Sequence, residues 1–105
     1  MKVYISGKIS GIPHTDVIEK FRQAEQQIIG YGHQPINPLN NGIDVSESWN
    51  KHMAADIAML LECDAIYLLA DWSDSVGARI EAHIAAEIGI DIMHQPDYGT
   101  YKSRM

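Results

Sequence analysis

Apolar residues along this chain follow two rhythms, short continuous runs and longer stretches spaced by three or four, and the two alternate. Residues 3–6 make the first run, bounded by Gly7, as a short buried strand would be. Val17, Phe21, Ala24 and Ile28 then recur at helical spacing. Thr15 or Asp16 is the expected cap of that helix, Asp16 and Glu19 have the arrangement of a capping box, and Gly30 with Gly32 stops it. Residues 34–37 predict a brief second strand ended by Pro38, followed by a polar loop over 39–47 that contains Asn40, Asn41 and Gly42. Ser48 is the expected N-cap of a second helix, with Trp49, Met53, Ile57, Leu60 and Leu61 as its apolar stripe. Residues 65–70 are nearly continuous in apolar character, as a central parallel strand should be. A loop over 71–76 leads to a third helix over 77–88, with Ile80, Ile84 and Ile88 on one face and Gly89 at its end. Residues 90–93 predict a fourth short strand, and residues 96–105 a polar tail, expected to be mobile, with Tyr98 and Tyr101.

Strand and helix therefore alternate as β-α-β-α-β-α-β. That alternation implies an α/β fold, a parallel sheet with helices on both faces. A strand order of 2-1-3-4 places the switch point between the first and third strands, where ligands bind in such sheets. No repeat, linker or low-complexity segment interrupts the 105 residues, so one domain over 1–105 is expected.

Composition narrows the partners. A formal net charge of -6 argues against a nucleic-acid backbone as ligand. No apolar run reaches the length of a membrane span, and Gly7 and Gly11 interrupt any signal-peptide layout. The single cysteine, Cys63, forms no internal disulfide, and a reducing cytoplasm is the simplest compartment. A chain this short buries a limited core, so self-association into a homodimer or larger homo-oligomer is expected.

The candidate chemistry gathers at the loops after the first and third strands. Glu81 lies about one turn into the third helix, where the helix N-terminus should keep it ionised. A carboxylate there can attack an anomeric carbon or stabilise an oxocarbenium-like cation, although the position alone also fits a solvated acid at a helix start. Asp56 is mid-helix, where aspartate is a weak helix former. Facing the crevice, it would be the second carboxylate that glycosyl chemistry needs for managing a proton. Taken alone, it reads as a surface aspartate opposite the Trp49, Met53 and Leu60 stripe. Tyr4, two residues before the first loop, is either a core tyrosine or a hydroxyl that orients Glu81 or a ligand. Ser6, Gly7, Lys8, Ser10 and Gly11 form a loop whose backbone N–H groups can cradle a phosphate or a ribose, without the Gly-Lys-Ser/Thr signature of a P-loop. Ser75 and Gly77 can cap the third helix and present donors to an anion. Asp64 reads as structural, and Trp72 either stacks on a base or packs against the sheet edge. The histidines, at 14, 33, 52, 83 and 94, make no ligand pair with a flanking carboxylate, Cys63 reads as a small buried hydrophobe, and no metal or cofactor is expected.

Taken together, these residues resemble the nucleoside 2-deoxyribosyltransferase-like superfamily, in particular its small single-domain members. The resemblance runs from Lys2 to about Met93. It rests on the run from Tyr4 to Gly11, on Asn37-Pro38, Ser48-Trp49 and Met53 with Asp56, on the run from Cys63 to Tyr67, and on Ser75, Gly77, Ala78 and Glu81. It implies a flavodoxin-like three-layer α/β/α fold with four or five parallel strands. It also implies cleavage of the N-glycosidic bond of a 2′-deoxynucleoside or its 5′-monophosphate. In such enzymes a glutamate matching Glu81 is the nucleophile, an aspartate matching Asp56 handles the proton on the base, a tyrosine matching Tyr4 holds the glutamate, and a serine matching Ser75 helps bind the sugar or its phosphate. Members assemble as dimers or larger oligomers. The monophosphate hydrolases carry an arginine in the first loop, where this chain has Ser10, with Lys8 as the nearby charge. The transferases use an asparagine late in the chain, whereas the last one here is Asn50. A competing reading is a non-catalytic binder of a nucleotide or a nucleotide-derived signal, which would keep both loops without needing Glu81. The joint presence of Tyr4, Asp56 and Glu81 favours catalysis.

Overall fold

The computed structural model describes residues 1–96, and the expected tail lies outside the described residues from 97 onward. The chain runs β1 (Lys2–Ser6), α1 (His14–Gly30), β2 (Gln34–Ile36), α2 (Trp49–Leu61), β3 (Ala65–Leu68), α3 (Val76–Ile88), β4 (Asp91–His94), with short 3₁₀ turns at Pro38–Asn40 and Trp72–Asp74. Every strand pair is parallel, and the order is β2-β1-β3-β4. This is the flavodoxin-like arrangement expected, with four strands among the described residues and β1 beside β3 at the centre, in register from Val3 opposite Ala65 to Ser6 opposite Leu68.

The two-residue period of the strands sorts their side chains into two cores. Val3, Ile5, Ala65, Tyr67 and Leu69 pack under α1, whose Val17, Phe21, Ala24 and Ile28 form the predicted stripe. Tyr4, Ile66 and Leu68 face the other way, against Leu60 and Cys63 near α2 and Ala85 of α3. Each large side chain buried in this way contributes roughly 1.5–3 kcal/mol. Three layers result, with α1 on one face and α2 and α3 on the other.

Several local expectations are corrected. Helix α1 starts at His14, one turn of chain earlier than the capping-box reading allows, with Pro13 at the N-cap and no side-chain cap. The proposed box cannot form, because Asp16 lies inside the helix with its amide donating to the Pro13 carbonyl at 3.0 Å, and the Glu19 carboxylate instead accepts from Arg22 at 2.7 and 2.8 Å. Ser48 does cap α2, accepting from the Lys51 amide. The buried line of α2 is Met53, Asp56 and Leu60, while Trp49 and Leu61 stay half exposed. In α3 the buried face is Ala78, Glu81 and Ala85, and Ile80 and Ile88 lie outside it. Small residues win that face because α3 approaches closely. A Cβ on Gly77 would sit 3.1 Å from the Met53 sulfur of α2. Strand β3 ends at Leu68, short of the predicted Ala70, and β4 is shifted on by one residue.

Candidate active site

The site is built on the alternation of β1. Tyr4 and Ser6 share one face of that strand, and α3 crosses the same face with Glu81 inward. Both hydroxyls reach the glutamate. Tyr4 donates to Glu81 Oε2 at 2.8 Å, and Ser6 donates to Oε1 at 2.7 Å. Glu81 is only 5% exposed and Ser6 and Tyr4 less still, so the carboxylate is held from both sides at the floor of the site. Glu81 is the sixth residue of α3, beyond the reach of the helix N-terminus that was expected to keep it ionised. Burial governs instead. It pushes the Glu81 carboxyl up to about 7, against the two hydroxyl donors and together with the charge of Asp56. Burial, then the neighbouring charges of Glu81 and Asp56, hold the Tyr4 phenol far above its ordinary range, so Tyr4 is a permanent donor.

Asp56 is 7% exposed on the inner side of α2, which overturns its reading as a surface residue. Burial raises its carboxyl above the ordinary range, opposed by a hydrogen bond from Asn41 and by His52. The Asn41 amide donates to Asp56 Oδ1 at 2.8 Å and lies 3.1 Å from His52 Nδ1.

The loop after β1 turns sharply against β3. A Cβ on Gly7 would fall 2.6 Å from Leu69 Cδ1, so only glycine lets this backbone pass, and the Leu69 amide donates to Ser6 O at 2.9 Å. Asp71 ties the loop down. It accepts from the Lys8 amide at 3.1 Å and from Lys20 Nζ at 2.6 Å, while Lys20 also donates to the Lys8 carbonyl. Ser75 caps α3 by accepting from the Ala78 amide at 3.1 Å.

These elements surround a cavity of about 1070 Å³ at the carboxyl end of β1, between the segments that follow β1 and β2 and the turn that enters α3. Tyr4, Asp56 and Glu81 line it together. Gly7, Lys8 and Ser10 line it from the first loop, and Ser75 and Gly77 from the start of α3. Two candidates fall elsewhere. Ser6 lies beneath Glu81 with its hydroxyl engaged there, and Gly11, at φ 81°, shapes the turn without lining the cavity. Trp72 tilts against His94 and packs on the core beside the sheet, away from the cavity lining. Asp64 accepts from the Lys2 amide at the far end of β1, consistent with a structural part.

The family described as "Domain of unknown function (DUF4406)" matches residues 1–94. The chain belongs to that family. No curated protein matches it. Among solved structures, a 2-desoxiribosyltransferase from Leishmania mexicana is similar over 99% of this chain and 73% of that one, with a TM-score of 0.64 and 19% sequence identity. At that identity the likeness is one of fold, and the fold is the one the sequence resemblance implied.

Within this DUF4406 domain, sequence reasoning missed Asn41, His52, Lys20 and Asp71 as parts of the site's support. His52 carried a readable signal, since it stands one helical turn before Asp56. Asn41 carried none, because its bond to Asp56 joins a loop to a helix. Cys63 is buried, donates to the Met59 carbonyl, and burial pushes its thiol up to about 11, so it is inert packing. Among the described residues no three His, Cys, Asp or Glu side chains gather as a metal site. No helix among them is long and apolar enough to cross a membrane.

Proposed function

We propose that the protein cleaves the N-glycosidic bond of a 2′-deoxynucleoside or its 5′-monophosphate, with Glu81 as nucleophile and Asp56 as the acid for the leaving base. The observation that carries this reading is the Glu81 carboxylate, buried at the floor of the cavity and gripped by Tyr4 and Ser6, with Asp56 lining the same cavity. Two buried carboxyls close together divide one proton unevenly. The chemistry needs Glu81 ionised, the form that its two hydroxyl donors favour, and Asp56 protonated, the form that its burial favours.

In that state Glu81 attacks C1′ of the sugar. The C1′–N bond breaks, its electron pair goes to the base nitrogen, and Asp56 gives the base a proton. Water then adds at C1′, the glutamate leaves as carboxylate, and the water's proton returns to Asp56. Tyr4 and Ser6 keep the carboxylate aimed and disperse its charge. The Gly7 to Ser10 loop and the Ser75 to Gly77 turn hold the sugar or its phosphate. Transfer to a second base would replace water in the last step.

The first test is release of free base from a panel of nucleosides and 5′-monophosphates, read by chromatography as a function of pH. The rate should follow a bell against pH, because it needs Glu81 without its proton and Asp56 with one, and one limb should lie near 7, where Glu81 titrates. Tight nucleotide binding with no base released from any member would favour the binding-module reading instead.

A further inference from the structure

The Asn41 amide is fixed on every side. Its Oδ1 accepts from the Ile43 amide at 2.9 Å, while its Nδ2 faces both Asp56 Oδ1 and His52 Nδ1. Rotating the amide by half a turn would set two donors against each other at Ile43 and two acceptors against each other at Asp56, so its orientation is settled by its neighbours. The His52 tautomer is settled too. Its Nε2 lies 2.9 Å from the Asp44 carbonyl, which only accepts, so Nε2 carries the hydrogen and Nδ1 offers its lone pair to Asn41. The two hydrogens of one amide nitrogen thus meet two acceptors, and neither can serve elsewhere.

This has a consequence for Asp56. Its Oδ1 is committed to accepting from Asn41. In a protonated carboxyl the carbonyl-type oxygen is the better acceptor, so Oδ1 takes that part and the proton is left to Oδ2. We propose that Asn41 is a positioning residue that, locked by His52 and by the Ile43 amide, sorts the two oxygens of Asp56 so that the proton rides on Oδ2 for delivery into the cavity. This rests on the reading of Asp56 as the acid for the leaving base. The proton passes from Oδ2 to the base nitrogen as the C1′–N bond breaks, and the carboxylate left behind keeps its bond from Asn41. The same asparagine closes the chain on itself between 41 and 43, so loop shape and proton placement are set by one side chain.

The groups that face Asp56 electrostatically are Glu81 on α3, Tyr4 on β1 and His52 on its own helix. Asn41 donates to the charged form, so removing it should move the Asp56 titration to higher pH. The test pairs two variants. Asn41→Ala removes the donor, and Asn41→Asp keeps an acceptor for the Ile43 amide while removing the donor. The Asp56 side-chain carboxyl is followed by ¹³C NMR against pH in the native protein and both variants, and the His52 ring nitrogens by ¹⁵N NMR. We expect a higher Asp56 midpoint in both variants and a native His52 with hydrogen on Nε2 alone. An unchanged midpoint, or hydrogen on Nδ1, overturns the proposal whatever reaction the protein performs.

Kinetics add a second readout. A nucleoside needs its base protonated, whereas the 2′-deoxyriboside of 4-nitrophenol has a leaving group that departs without a proton. The loss in kcat for Asn41→Ala should be at least about tenfold greater on the nucleoside than on the activated substrate, within the range of general acid catalysis. Equal losses on both substrates overturn the proposal. Asp56→Asn separates the two levels. If it cleaves nucleosides at the native rate, the acid reading of Asp56 fails. If it is impaired while Asn41→Ala is not, only the part given to Asn41 fails.

Discussion

At Glu81 the proposed chemistry and the pH dependence of folding meet in one buried carboxyl. Its carboxyl is raised from an ordinary 4.5 to about 7 chiefly by burial, so the folded protein binds a proton there more tightly than the unfolded chain does. Stability from this group is therefore full below about pH 4.5, falls as pH rises towards 7, and stays reduced above that. Glu81→Gln keeps the shape without the charge. It should be more stable than the native protein at pH 8, by on the order of 2–3 kcal/mol, with the gap closing near pH 4. Urea unfolding at the two pH values measures this, and a gap independent of pH would count against the buried charge as its cause. Tyr4, Asp56 and Glu81 were grouped by the family resemblance, since Asp56 and Glu81 lie inside their helices and each alone reads as an ordinary acid. The ionisation of Glu81 was not legible. Its distance from the helix start counts residues, whereas its environment depends on β1 lying underneath. Ser6 was legible as part of the first loop, and its bond to Glu81 was not, although the two-residue step from Tyr4 already placed both hydroxyls on one face.

The strands and helices were set largely by hydrophobic rhythm, and the faces of two helices were not. The stripe from Val17 to Ile28 predicted α1 correctly, since one helix covers one whole side of the sheet. For α3 the isoleucine row suggested the wrong face. Close packing on the sheet and on α2 selects Ala78 and Ala85 there, and bulk goes outward. The junction after β1 is the tightest point of the fold. Gly7→Ala would drive a methyl into Leu69, a contact that neither backbone can relieve without opening the β1 to β3 pairing at Ser6. A loss of about 1–3 kcal/mol is expected, as for other overpacked sites. Because the same junction carries the cavity loop and Ser6, substrate affinity should weaken with it. Thermal unfolding and a KM measurement read both, and a variant of native stability would show that the loop has room to move.

For the molecule as a whole, alternation gave the parallel three-layer class, since β-α-β units leave few topologies open, and the resemblance narrowed it to the flavodoxin-like order that the sheet has. Assembly is less directly written. Leu61 at the end of α2, with Val76, Ile80 and Ile88 along α3, are exposed by 38 to 57%. Apolar groups of that size on two neighbouring helices fit a surface that a second copy covers. We expect a homodimer in light scattering at micromolar concentration, and an Ile80→Glu variant that shifts towards monomer. A native monomer across ordinary salt would contradict this. The central claim is that Glu81 takes the sugar. It is tested most directly by mixing the protein with a 2′-fluorinated arabinonucleoside, whose glycosyl-enzyme breaks down slowly, and measuring intact and peptide masses. One added fluoropentosyl group is expected on the peptide that contains Glu81, with free base released in equal amount, and neither with Glu81→Gln. A sugar adduct on another residue, or base released undiminished by Glu81→Gln, would contradict it.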